Sequence, residues 1–139
     1  MSSPCPVIHF EMPFSDKERM TSFYERAFAW QMQSLGEDMG NYVLAATSET
    51  ENGVPKTPGT INGGFYPNKP DWPARHPSVV IAVENIENAM KSVIDAGGKV
   101  LGEPMEIPNI GLYVDFVDTE GNRLSMLQPS QTGTGCEVM

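Results

Sequence analysis

A chain of 139 residues, 40% apolar and 19% charged, can bury one domain-sized core or two small units that share one, and is too short for a larger multidomain assembly. Its formal net charge of −9 opposes attraction to phosphate backbones and anionic membrane surfaces, so neither nucleic acid nor a membrane is an expected partner. No charge-free apolar stretch approaches the roughly 20 residues of a spanning helix, and Met1 to Phe10 lacks the basic start and apolar middle of an export signal, which makes a cytoplasmic setting the expectation.

Val7 to Met12 alternates, with Ile8, Phe10 and Met12 on one face and Val7, His9 and Glu11 on the other, the pattern of a strand with one apolar side that ends at Pro13. Ser15-Asp16-Lys17-Glu18 reads as a capping box opening a helix, and Met20, Phe23, Tyr24, Ala27 and Phe28 form an apolar stripe fit to lie on the Ile8/Phe10/Met12 face. Trp30 to Ser34 and Asn41 to Ala46 are strand candidates. Thr47 to Thr60, with Asn52-Gly53, Pro55 and Pro58, reads as a long exposed loop. Ile61 to Tyr66 is a further strand candidate, although Asn62-Gly63 inside it is also a two-residue hairpin signal. Four prolines between Pro67 and Pro77 make that stretch a linker.

After the linker the pattern restarts. Ser78 to Val83 is a strand with Val79, Ile81 and Val83 on one face; Asn85 caps a helix from about Ile86 to Ala96, which Gly97-Gly98 ends. Lys99 to Leu101 is a short strand, and Leu112 to Val117 and Arg123 to Gln128 are strands joined by the polar turn Asp118 to Asn122. Gln131 to Met139 reads as a polar, frayed tail. The two cysteines, Cys5 and Cys136, lack metal-knuckle spacing and read as free thiols.

Setting His9 against Ser78, an offset of 69 residues, aligns strand end, helix cap and helix length in the two halves. The chain therefore reads as an α+β protein of two tandem βαβββ modules, the first over 1–67, a linker over 68–77, the second over 78–129 and a tail over 130–139. Neither half alone covers both faces of its sheet, so the halves are expected to pair.

The segments His9-Phe10-Glu11-Met12-Pro13, Phe23-Tyr24-Glu25, Ile61-Asn62-Gly63-Gly64, Ala96-Gly97-Gly98-Lys99-Val100 and Asp118 to Asn122, in this order and spacing, resemble the vicinal oxygen chelate superfamily of glyoxalases, ring-cleaving dioxygenases and bleomycin-resistance proteins. The resemblance spans His9 to Gln128. It implies a curved mixed sheet around a cleft (the glyoxalase/bleomycin resistance fold), helices outside, and commonly a homodimer. It also implies that metal-dependent members hold a cation through one residue in the first and one in the fourth strand of each module. Carried over, those positions are His9, roughly Gly63, Ser78 and Ser125, of which only His9 is a competent ligand. No cofactor is therefore expected. A divalent metal is disfavoured, and any metal would need His9 and Glu11, with His76 a weaker donor because Pro77 delays the strand.

The residues opposite the helix stripes carry the chemistry. His9 and Glu11 are the candidates for a general base and for ligand contacts, because a mid-strand carboxylate among apolar neighbours demands a partner or a wet cleft. Trp30, Tyr42 and Phe65 suit either the wall of a pocket for a flat ligand or ordinary core packing. Tyr113 and Asp115 share a strand face and form a second polar group. The leading expectation is a glyoxalase-like protein without the usual metal site that binds or sequesters a small organic metabolite or toxin. The competing readings are a metal-dependent lyase, isomerase or dioxygenase, and a dimeric interaction or regulatory module with a vestigial cleft. Ligand identity, catalysis of any reaction, and whether the cleft lies within one chain or across a dimer stay open at the level of sequence.

Overall fold

The computed structural model describes residues 3–71 and 76–130. The chain divides into two compact units, one of His9–Pro77 and one joining the segment up to Ile8 with the chain from Ser78 onward. Strand β1 (Val7–Phe14) leads into α1 (Lys17–Phe28), β2 (Gln31–Ser34), a 3-10 turn (Glu37–Met39), β3 (Val43–Ala46), the short pair β4 (Thr50–Glu51) and β5 (Val54–Pro55), and β6 (Asn62–Pro67). The second series is β7 (Ser78–Ala82), α2 (Ile86–Asp95), β8 (Lys99–Ile107), β9 (Gly111–Val117) and β10 (Arg123–Pro129). The α+β class and the doubled strand-helix-strand-strand-strand order expected from the sequence are both present.

Within the first unit the strands lie in the order β2-β3-β6-β1, and within the second β8-β9-β10-β7. In each, the fourth strand of the repeat runs parallel to the first and antiparallel to the third. The duplication therefore extends to hydrogen-bond register. Glu11 pairs with Gly64 and Gly64 with Leu44, just as Val80 pairs with Ser125 and Ser125 with Asp115. Two residues before Leu44 and Asp115 stand Tyr42, immediately ahead of β3, and Tyr113, within β9, which are equivalent by the same register.

The helix-facing sides assigned from alternation are correct. Phe10, Met12 and Phe14 pack with Met20, Tyr24 and Trp30 over the buried Val43, Ala45 and Phe65. In the second unit Ile81 and Val83 meet Ile86, Ala89, Met90 and Val93 of α2 over Val114, Phe116 and Met126. Burial of these side chains, about 1.5–3 kcal/mol for each large one that is fully covered and less for the rest, holds each helix on its sheet.

Three local expectations are corrected and one ambiguity, at Asn62-Gly63, is resolved in favour of the strand. The α1 cap is Asp16, not Ser15: its Oδ1 accepts from the Arg19 backbone N–H at 3.0 Å. The equivalent Asn85 caps α2 through the Asn88 N–H. The stretch Thr47 to Thr60 is not featureless but carries the β4–β5 pair, turned by Asn52 (φ 54°) and Gly53 (φ 79°), the left-handed conformations that a tight hairpin turn needs. Asn62-Gly63 is strand, because the Asn62 side chain accepts from the Thr47 N–H and donates to Thr50 Oγ1, tying the base of that hairpin instead of turning one of its own. Finally, β8 runs past Leu101 to Ile107. A register shift between Leu101 and Met105 absorbs Gly102 and Pro104, which read as breakers but are tolerated at a bulge on a strand with one free edge. The expected frayed tail Gln131 to Met139, with Cys136, and the middle of the proline linker lie outside the described residues. Cys5 is free and exposed.

Candidate functional site

Alternation puts His9 and Glu11 on the side of β1 that turns away from α1, and pairing with β6 places Gly64 beside Glu11 on that same side. A Cβ at Gly64 would overlap the Tyr42 ring. The missing side chain is what lets the phenol lie across the strand and reach β1. There Tyr42 Oη donates to Glu11 Oε2 at 2.8 Å and lies 3.0 Å from His9 Nε2. His9 is 8% exposed, and burial pushes its imidazole down from 6.5 to about 4, so the ring is neutral at pH 7. The phenol has one proton, committed to Glu11, so His9 Nε2 is the donor in the remaining contact. The hydrogen bonds thus run in one direction, from imidazole through phenol to carboxylate.

The second unit holds a different polar group on its own non-helix face. Ser125, 4% exposed, donates to Asp115 Oδ1 at 2.7 Å and lies 2.6 Å from Tyr113 Oη. Arg123 Nη2 and Nε reach Asp115 Oδ2 at 2.6 and 3.1 Å. The positive charge of Arg123 therefore closes this group on itself.

Of the residues singled out in the sequence, the structure brings His9, Glu11 and Tyr42 together in one unit, and Tyr113 and Asp115 in the other. Trp30 and Phe65 are elsewhere: Trp30 stacks on Tyr24 with ring centroids 4.7 Å apart, and Phe65 is 1% exposed beneath the same ring, so both belong to the α1 core. Packing on the helix side explains them. Gly64, Ser125 and Arg123 complete the polar groups. The resemblance already marks Ser125; the signal for Gly64 and Arg123 was the strand register, which alternation within one strand does not give. A groove of about 530 Å³ on the α2 side, lined by Cys5, Ile81, Val83, Phe116 and Met126 among others, contains none of these polar side chains.

Residues 7–126 match the model of the Glyoxalase/Bleomycin resistance protein/Dioxygenase superfamily. The chain belongs to that superfamily. "Putative glyoxylase CFP32" of Mycobacterium bovis is 28% identical over 110 residues, which cover 78% of this chain and 38% of that protein, so this chain spans little over a third of the length of the curated relatives it matches. Among solved structures, methylmalonyl-CoA epimerase from Mycobacterium tuberculosis superposes with a TM-score of 0.65 at 12% identity, covering 91% of this chain and 89% of the other. A methylmalonyl-CoA epimerase in complex with methylmalonyl-CoA and NH4+ gives 0.69 at 15% identity, covering 95% and 99%. At such identities these structures speak for the fold.

The superfamily's metal positions test poorly against these residues. The register moves the fourth-strand position of the first module from Gly63 to Gly64, since Gly63 faces the Phe10 ring on the helix side and Gly64 is the true counterpart of Ser125. Neither glycine has a donor. The Tyr42 phenol fills the space over Gly64 and occupies His9 Nε2, while Ser78 and Ser125 offer only neutral hydroxyls, the latter already bonded to Asp115 and Tyr113. Among the described residues no three of His, Cys, Asp and Glu gather at metal-ligand spacing. This donor set does not fit the divalent cation of the metal-dependent members.

Proposed function

We propose that this chain is a small-molecule-binding member of the superfamily that works without the usual metal site, holding a small organic metabolite or toxin against the face that carries His9, Tyr42 and Glu11. The observation that carries the reading is the Tyr42 phenol lying over Gly64 and clasped between His9 and Glu11, a hydrogen-bonded group standing where a ligating side chain would project. A partly buried, hydrogen-bonded polar group costs desolvation and is retained where its orientation matters. The methylmalonyl-CoA epimerase solved in complex with methylmalonyl-CoA supports the reading to the extent that a protein of the same fold binds an organic ligand. Tyr113 and Asp115 have their hydrogen bonds closed by Ser125 and Arg123, so the first unit bears the main weight. The reading includes a homodimer in a cytoplasmic setting, to be checked by light scattering and fractionation.

The test is a thermal-shift screen of a broad metabolite library on the wild-type protein and on Tyr42→Phe. A ligand that binds the native state raises the melting temperature by mass action, by about 2.7 kcal/mol of stabilisation at a hundredfold excess over Kd. Hits whose shift shrinks in Tyr42→Phe support the proposal. Silence across the library, or hits indifferent to Tyr42, would favour the interaction-module reading.

A further inference from the structure

The direction of the hydrogen-bond chain limits what the ligand can be. Tyr42 gives its only hydroxyl proton to Glu11 and takes one from His9 Nε2, so the neutral His9 ring has its second nitrogen, Nδ1, as a bare lone pair. Among the described residues no donor reaches Nδ1. The residue is only 8% exposed, and a buried acceptor left without a donor costs free energy that a native structure normally recovers. Hydrogen bonds in series polarise one another, and the carboxylate at the far end of this one pushes electron density back through the phenol toward the imidazole. Nδ1 is thereby made a better acceptor.

Resting on the small-molecule reading above, we infer that the ligand places an N–H or O–H donor on His9 Nδ1 and carries no anionic group there. An amine or a hydroxyl satisfies the lone pair. A carboxylate or phosphate oxygen would set lone pair against lone pair, with the Glu11 charge behind it, in a chain whose net charge is already −9. By this logic methylmalonyl-CoA, the anionic ligand bound by a protein of the same fold, is the wrong chemical class for this face.

The experiment uses the intact wild-type chain and three probes sharing one apolar body: benzylamine, benzyl alcohol and benzoate. Nitrogen NMR of the imidazoles, assigned with a His9→Gln variant, is recorded at pH 7 with and without each probe at millimolar concentration. The free protein is expected to show His9 as the Nε2–H tautomer with an unprotonated Nδ1. Benzylamine and benzyl alcohol are expected to move the Nδ1 resonance toward that of a hydrogen-bonded nitrogen, with binding about tenfold weaker in His9→Gln, while benzoate leaves it in place. An Nδ1–H tautomer or an imidazolium in the free protein would overturn the inference. So would benzoate binding as tightly as benzylamine, and in both cases the small-molecule reading would survive. Backbone amide spectra of the same samples complete the test: if no probe shifts any resonance from β1, β3 or β6, the inference and the reading beneath it fail together.

Discussion

Tyr42 and Tyr113 occupy the same register position in two copies of one βαβββ unit, and their hydroxyls end in different places. In the second unit the fourth strand offers Ser125, which meets Tyr113 at once and passes the contact on to Asp115 and Arg123. In the first unit the same position is Gly64, and the phenol crosses it to bond His9 and Glu11 on β1. The phenols' partners follow from both neighbouring strands: Ser125 meets Tyr113 where β7 offers only Ser78 and Val80, whereas Gly64 lets Tyr42 through to His9 and Glu11 at the matching positions of β1. In this duplicated backbone the two copies differ in chemistry where a small residue lets a neighbour's side chain through.

The largest effect on this contrast should come from making the first repeat like the second. Gly64→Ser would drive its side chain into the Tyr42 ring and cut both hydrogen bonds, a loss of about 3 kcal/mol in chemical denaturation. Ser125→Gly should cost less, about 1–2 kcal/mol, because it removes contacts and opens space without a clash.

A comparable effect should appear with pH, through His9 of the first unit. The folded His9 pKa, about 4, lies below the unfolded value of 6.5, so the unfolded chain binds more protons in that interval. The associated stability is fully present above pH 6.5 and is lost as pH falls toward 4, for a total of about 3 kcal/mol. Urea denaturation midpoints of wild type and His9→Gln should converge across this window. Parallel curves would mean that the histidine is not held neutral.

Smaller shifts sharpen the contrast further. Tyr42→Phe leaves the buried His9 Nε2–H without an acceptor and should cost about 2 kcal/mol, whereas Tyr113→Phe should cost about 1 kcal/mol, because Ser125 retains Asp115. Arg123→Ala removes a half-exposed ion pair and should change stability by about 0.5 kcal/mol. A double-mutant cycle between Tyr42→Phe and Tyr113→Phe gives the coupling energy between the two groups directly.

Much of this architecture was legible in the amino-acid order. Alternation at Ile8/Phe10/Met12 and at Val79/Ile81/Val83 gave the helix-facing sides, and the offset between His9 and Ser78 gave the duplication, because a half-buried strand and an amphipathic helix each impose a period on the sequence. His9 with Glu11 was visible for the same reason. Tyr42 was visible only as an aromatic of undecided side, as were Trp30 and Phe65, since an aromatic near a strand end satisfies the core and a polar face equally well. Gly64 and Arg123 were missed because their roles arise across strands. Register is set by backbone pairing, and a one-residue error, such as the one that pointed to Gly63, moves a position to the opposite face. The β4–β5 pair was missed because its ladder is two residues long and its base is tied by Asn62, which carries a turn signal of its own.

The central claim is that a tyrosine standing over a glycine has taken the place of a metal ligand. Elemental analysis of the protein purified without chelator, alongside His9→Ala prepared identically, tests it most directly. The account predicts far less than one divalent cation per chain in both samples. A stoichiometric cation in the wild type that disappears in His9→Ala would contradict it.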